Sequence, residues 1–288
     1  MSGLENRGLK KRNYSAIVNM MELINHLPPI KRARGYRLYD YNQRVYLDLY
    51  QEGGRAILGH RAFRLTTVIK DVISKGTIFD LPSIYTKRLE QALRRRFPEF
   101  PYVYLAASPE GALRTAALYL GREISSSDIC DPFRRTERRG DILRRYPLVK
   151  DAQAEEGVSV LMPVIPFSMG GSPSVLCFRH GPPEGFPLSE TISPVILAGA
   201  LRALNDLKNY RQADWFKEDL LKGKGGWLQR GIYITANFEE DFYAEVFKNF
   251  LEEGVLLNPG YPGPSILPAA ASPGELKRMV DLFSKYPG

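Results

Sequence analysis

The sequence predicts an α/β fold, and three observations carry that prediction. A short apolar strand, Tyr102–Ala106, turns through small residues into a helix over Pro109–Arg122, the usual entry to an α/β domain. Segments of helical period alternate with short apolar or aromatic runs along the chain. Hydrophobic residues make up 44% of the 288 residues and aromatics 11%, enough for a packed core, so disorder is not expected.

Each element has a local reason. Tyr14 to Leu27 has apolar residues near helical spacing and stops at Pro28-Pro29. Tyr36–Tyr41 and Val45–Tyr50 are short, aromatic and alternating, and the Asn42-Gln43-Arg44 link makes them an antiparallel hairpin. Phe63–Lys75 is an amphipathic helix stopped by Gly76. Ser83–Phe97 is another, with Leu89, Ala92 and Leu93 on one face and Pro98 after it. Residues 123–157 are polar, Arg-rich and weakly periodic, a poor source of core. Val158–Val164 and Val175–Arg179 are two buried strands joined by a Gly170-Gly171-Ser172-Pro173 turn. Thr191–Leu207 is a helix with Pro194 in its first turn. Gly231–Thr235, Glu239–Glu252 and Val255–Asn258 read as strand, helix and strand. Ser272 caps a final helix to Tyr286, with Glu275 completing a capping box.

Composition narrows the function classes. The two cysteines, Cys130 and Cys177, lack metal-ligand spacing, so a reducing, cytoplasmic setting is expected. No apolar run approaches a membrane span, and no secretory signal opens the chain, so no membrane partner is expected. Net charge is +8 with pI near 9.4, and the excess clusters at Arg134, Arg135, Arg138, Arg139, Arg144 and Arg145. That segment suits a solvated face, an acidic partner or nucleic acid, although no nucleic-acid-binding motif accompanies it. His26, His60 and His180 lack ligand spacing, so no metal site is expected and His60 reads as a packing or turn residue.

Residues 36–122 carry Tyr36-Arg-Leu-Tyr-Asp40, Tyr46-Leu-Asp-Leu-Tyr50, Ile57-Leu-Gly-His60 and Ala116-Ala-Leu-Tyr-Leu-Gly-Arg122 in order. Near the other end stand Gly254-Val-Leu-Leu-Asn-Pro259, Gly260-Tyr-Pro-Gly263 and the helix from Ser272. Over 36–122 and 192–288 the chain resembles class III aminotransferases, the glutamate-1-semialdehyde aminomutase group in particular. The resemblance implies a shortened fold-type I architecture for pyridoxal phosphate (PLP) enzymes, with a reduced central sheet and a small α+β domain. It places residues 1–75 as a segment packing with the C-terminal small domain, 76–191 as a reduced α/β large domain and 192–288 as the small domain. It also implies a homodimer.

In that family a small-residue turn at a helix N-terminus takes the cofactor phosphate, an acid in an Asp-Glu motif pairs with the pyridinium, and a lysine binds the cofactor covalently. Ser108, Glu110 and Gly111 stand where the phosphate turn belongs, a remnant cofactor site. Pro109 removes a backbone donor there and Glu110 adds negative charge. The same residues suit plain helix capping: Ser108 as N-cap, Pro109 at the first position, Glu110 in the first turn. Between Gly121 and Ile192 no Asp-Glu pair follows a strand, and Lys150 is the only lysine between Lys87 and Lys208. Lys222-Gly-Lys224-Gly-Gly226 comes too late in the order of elements. The expectation is a degenerate aminotransferase-like protein with no catalytic residues and no cofactor, acting as a binding or regulatory subunit. Two alternatives stay open: a PLP enzyme using Lys150, Lys224 or a second catalytic chain, and polyanion binding through Arg134–Arg145.

Overall fold

The computed structural model describes residues 22–62, 64–79, 81–133, 140–149, 156–169, 171–223 and 226–286. The chain divides into two compact units, Ala62–Tyr210 and the pairing of Met1–Arg61 with Arg211–Gly288. Most of the helix expected over Tyr14–Leu27 lies outside the described residues, as do Arg134, Arg135, Arg138, Arg139, Lys150, Gly170 and Lys224.

The 62–210 unit is built on a five-stranded sheet. Its strands are β4 (Tyr102–Ala106), β5 (Ile129–Cys130), β6 (Ile142–Arg145), β7 (Val160–Pro163) and β8 (Ser174–Phe178), in the order β4-β8-β7-β6-β5. β5, β6 and β7 pair in parallel, and β8 runs antiparallel to both β7 and β4. Side chains alternate between faces. On one face Tyr104, Ala106, Ile142, Val160, Leu176 and Phe178 form a buried cluster with Ala112 and Ala116 of α3 (Pro109–Leu120). Leu105, Leu143, Leu161 and Cys177, one residue out of phase, are equally buried on the other.

The remaining helices of this unit are α1 (Leu65–Ser74), α2 (Ile84–Arg96) and α4 (Pro194–Asp206), and α4 packs against both of the others. Leu89 and Leu93, fully buried on the apolar face of α2, each contribute about 2 kcal/mol. Gly199 sits mid-helix in α4 because a Cβ there would meet the Phe167 ring at 2.4 Å. These contacts place α1 and α4 in the unit with the sheet, which runs from Ala62 to Tyr210.

One expectation is corrected. The 123–157 stretch contains β5 and β6, with Ile142 and Leu143 in the core. Parallel strands this short carry too few residues to register as a period, and the arginines ending β6 disguise it further.

The other unit contains a four-stranded sheet ordered β1-β2-β3-β11 and a three-stranded sheet ordered β9-β10-β12. Their strands are β1 (Ile30–Arg34), β2 (Arg37–Asp40), β3 (Val45–Asp48), β9 (Trp227–Arg230), β10 (Tyr233–Ala236), β11 (Val255–Leu256) and β12 (Ser265–Ile266). The expected hairpin is β2–β3, closed where Asp40 Oδ1 accepts the Arg44 N–H at 2.9 Å. Trp227 packs among Phe238, Phe250 of α5 (Glu240–Glu252) and Phe283 of α6 (Pro273–Ser284), joining a strand to two helices.

Candidate functional site

The turn from β4 into α3 is where an anion site is expected. Ser108 is extended, with φ −140° and ψ 159°, and its Oγ accepts the Gly111 N–H at 3.0 Å. Pro109 takes the first helical position, where a missing N–H costs nothing, and Glu110 lies exposed in the first turn. Ser108 is therefore the N-cap.

A carboxylate from far along the chain also reaches this turn. The Ala107 N–H donates to Glu190 Oε2 at 2.7 Å. A Cβ on Gly111 would stand 2.6 Å from Glu190 Oε1, so the glycine leaves the space that the carboxylate fills. The segment bearing Glu190 is fixed beside β4. The Glu190 N–H donates to the Leu105 carbonyl at 2.8 Å, the Leu105 N–H to Ser189 Oγ at 3.1 Å, and Ser189 Oγ to Glu90 Oε1 at 2.8 Å. The positive end of the helix dipole and a free backbone donor thus meet an anion that belongs to the protein. Against an incoming phosphate the turn fits poorly: one N–H is taken by Ser108, one by Glu190, one is absent at Pro109, and the Glu190 charge repels.

A second feature was missed in the sequence. Asp131, directly after β5, is buried. Its Oδ2 accepts from the Tyr146 hydroxyl at 2.8 Å and lies 3.7 Å from Arg144 Nη1, while Oδ1 accepts the Phe133 N–H at 3.0 Å. Burial, reinforced by this carboxylate, pushes the Tyr146 phenol well above its ordinary range. Asp131 stands at a strand end outside any Asp-Glu pair, and both of its oxygens are engaged. The four described lysines of the unit, Lys70, Lys75, Lys87 and Lys208, are all exposed.

His60 is half-buried and sits outside any turn. It forms an isolated backbone bridge with Gly35, and its Nε2 lies 2.7 Å from Asp48 Oδ2. Burial disfavours the imidazolium, but Asp48 outweighs it and the His60 pKa is raised. Among the described residues no group of His, Cys, Asp or Glu could hold a metal ion, and no helix is long and apolar enough to cross a membrane.

No family model matches this chain. An uncharacterized protein of Borreliella burgdorferi is 27% identical over 272 residues, 91% of this chain and 92% of that one. A glutamate-1-semialdehyde 2,1-aminomutase of Bacillus mycoides is 32% identical over 97 residues, which are 32% of this chain and 23% of the enzyme. An omega-transaminase structure from Sphaerobacter thermophilus matches with a TM-score of 0.67 at 16% identity, covering 90% of each chain. A glutamate-1-semialdehyde aminomutase structure from Pseudomonas aeruginosa, in complex with PMP, matches with a TM-score of 0.65 at 14% identity, covering 89% of this chain and 86% of that one. The solved structures that this chain resembles are class III aminotransferases.

Proposed function

We propose that this chain, which has the class III aminotransferase fold in shortened form, is a binding or regulatory protein that neither holds PLP nor transfers amino groups. The observation that carries this reading is Glu190: its carboxylate sits at the start of α3, on the Ala107 N–H and against Gly111. A fixed carboxylate there serves the helix as a bound phosphate would, and it excludes one by charge and by volume. The exposure of the four described lysines and the engagement of Asp131 add support. Ser108, Glu110 and Gly111 on this reading are a helix start, not a cofactor site.

The same proposal takes the protein as a cytoplasmic homodimer that works with a further chain. Ile78, Leu81 and Ile84, each at least 59% exposed between α1 and the first turn of α2, are apolar surface for such a contact.

The test is a PLP titration of purified protein. The proposal expects no saturable absorbance change and no phosphopyridoxyl group fixed by borohydride. A group fixed on one lysine, with Lys150 and Lys224 the positions to inspect, would overturn the proposal and name the catalytic residue.

A further inference from the structure

Two helices, one in each unit, carry one pattern of side chains with the charges reversed. α2 begins with Ile84, 60% exposed, and the residues three, six, ten and eleven positions on are Lys87, Glu90, Arg94 and Arg95. α5 presents Phe242, 41% exposed, and the same steps from it meet Glu245, Lys248, Glu252 and, just past the helix, Glu253. At about 3.6 residues per turn these positions share one face. The inward positions match as well: Leu89 and Leu93 are buried on α2, and Phe247 and Leu251 stand buried at the same steps on α5.

Both faces are open. The charged residues are exposed except Glu90, which is half-buried with Oε1 accepting from Ser189 Oγ. Lys87, Arg95, Glu245 and Lys248 have no ion-pair partner among the described residues. Arg94 lies 3.7 Å from Glu90, at the long end of an ion pair. Arg88 breaks the pattern, since Val246 at the matching step is buried; its guanidinium lies 5.9 Å from the centre of the Tyr85 ring.

Two parallel helices lying side by side in register bring equal steps to one level, because each rises about 1.5 Å per residue. α2 against α5 would set Ile84 beside Phe242 and oppose the charges pair by pair. α2 against α2, or α5 against α5, would set like charges together, so the pattern selects its partner as well as attracting it.

We propose that α2 of one copy of this protein docks, parallel and in register, on α5 of a second copy. The proposal rests on the homodimer reading above and supplies its faces; it does not depend on the absence of PLP.

Sedimentation velocity of the full chain over a concentration series tests it, using Lys87→Glu with Arg95→Glu on α2 and Glu245→Lys with Glu252→Lys on α5. The wild type should self-associate, less tightly as salt is raised. Each double reversal should weaken association about tenfold or more while keeping the wild-type melting temperature, since all four positions are exposed. The chain with all four substitutions should recover the wild-type association, and so should an equimolar mixture of the two double variants. A dimer that neither double reversal weakens, or that neither the fourfold variant nor the mixture restores, would overturn the contact and leave the homodimer reading standing. A wild type that stays monomeric at every concentration would overturn both, leaving the α2 face to an acidic partner of another kind.

Discussion

Of the three described helices that begin with Ser-Pro, two are capped by the serine side chain, and these two solve one problem in different ways. α3 opens Ser108-Pro109-Glu110-Gly111, and α6 opens Ser272-Pro273-Gly274-Glu275. In each the serine Oγ accepts the N–H three residues on, at 3.0 Å in α3 and 3.3 Å in α6. They part at that third position. Glu275 folds back so that Oε2 accepts the Ser272 N–H at 2.7 Å, while Oε1 accepts Arg37 Nε at 2.6 Å. Gly111 has no side chain, and its place is taken by Glu190 from a remote segment. A helix start needs an acceptor for its free donors. Where the next turn of chain supplies one, the helix is closed and local. Where it does not, a glycine leaves room for a visitor, which in a phosphate-binding turn is the ligand and here is the protein itself.

Removing the acceptor should break both starts, α6 more severely. Glu275→Ala loses half of the capping box and leaves Arg37 without its carboxylate, so about 2 kcal/mol of stability should disappear in urea unfolding. Glu190→Ala should cost about 1–2 kcal/mol, the range for a charge-assisted hydrogen bond to a backbone donor.

Alanine at the two early glycines sharpens the contrast. Gly274 has open space around it, and Gly274→Ala should stabilise by about 0.5 kcal/mol through helix propensity. Gly111→Ala must displace the Glu190 carboxylate, so it should be neutral or destabilising in the wild type and stabilising by a similar amount in a Glu190→Ala background. Additivity of Gly111→Ala with Glu190→Ala would show that the two residues do not meet.

The smallest effect is in pH. For Glu275 burial raises the pKa, but Arg37 and Ser272 together hold it below the ordinary carboxylate range. Its contribution is therefore present above the unfolded-state value and is lost as pH falls through the depressed folded value. His60 gives the opposite arm. Its raised pKa stabilises most below the ordinary imidazole value, and that stability fades as pH rises through the folded value. Unfolding curves against pH should lose the acid arm in Glu275→Gln and the other arm in His60→Gln.

Much of this fold is legible in the sequence because the signals are local. The β2–β3 hairpin, the apolar face of α2, and the Ser272 and Glu275 capping box each depend on neighbours within a few positions. What sequence reading misses depends on distant partners. β5 and β6 are two and four residues long, and sheet neighbours make them strands, not their own period. Asp131 looks like an ordinary loop acid beside Pro132 until Tyr146 and Arg144 are seen on it. Glu190 closes a Pro-rich stretch with no regular element of its own, yet it fills the α3 turn. The one available hint was Gly111 at a position where a capping box would carry an acid. For α3 the capping reading of Ser108 is the one the geometry supports, and the anion that accompanies it could not be read from Ser108, Glu110 or Gly111 alone.

The most direct measurement is the amide spectrum of Ala107 and Gly111 by NMR, recorded for the wild type and Glu190→Gln, each with and without inorganic phosphate. The account predicts a large shift of the Ala107 amide on Glu190→Gln and no response of either wild-type amide to phosphate. An Ala107 amide indifferent to Glu190→Gln, together with a saturable wild-type response to phosphate, would contradict it, since the turn would then be open to a phosphate ligand.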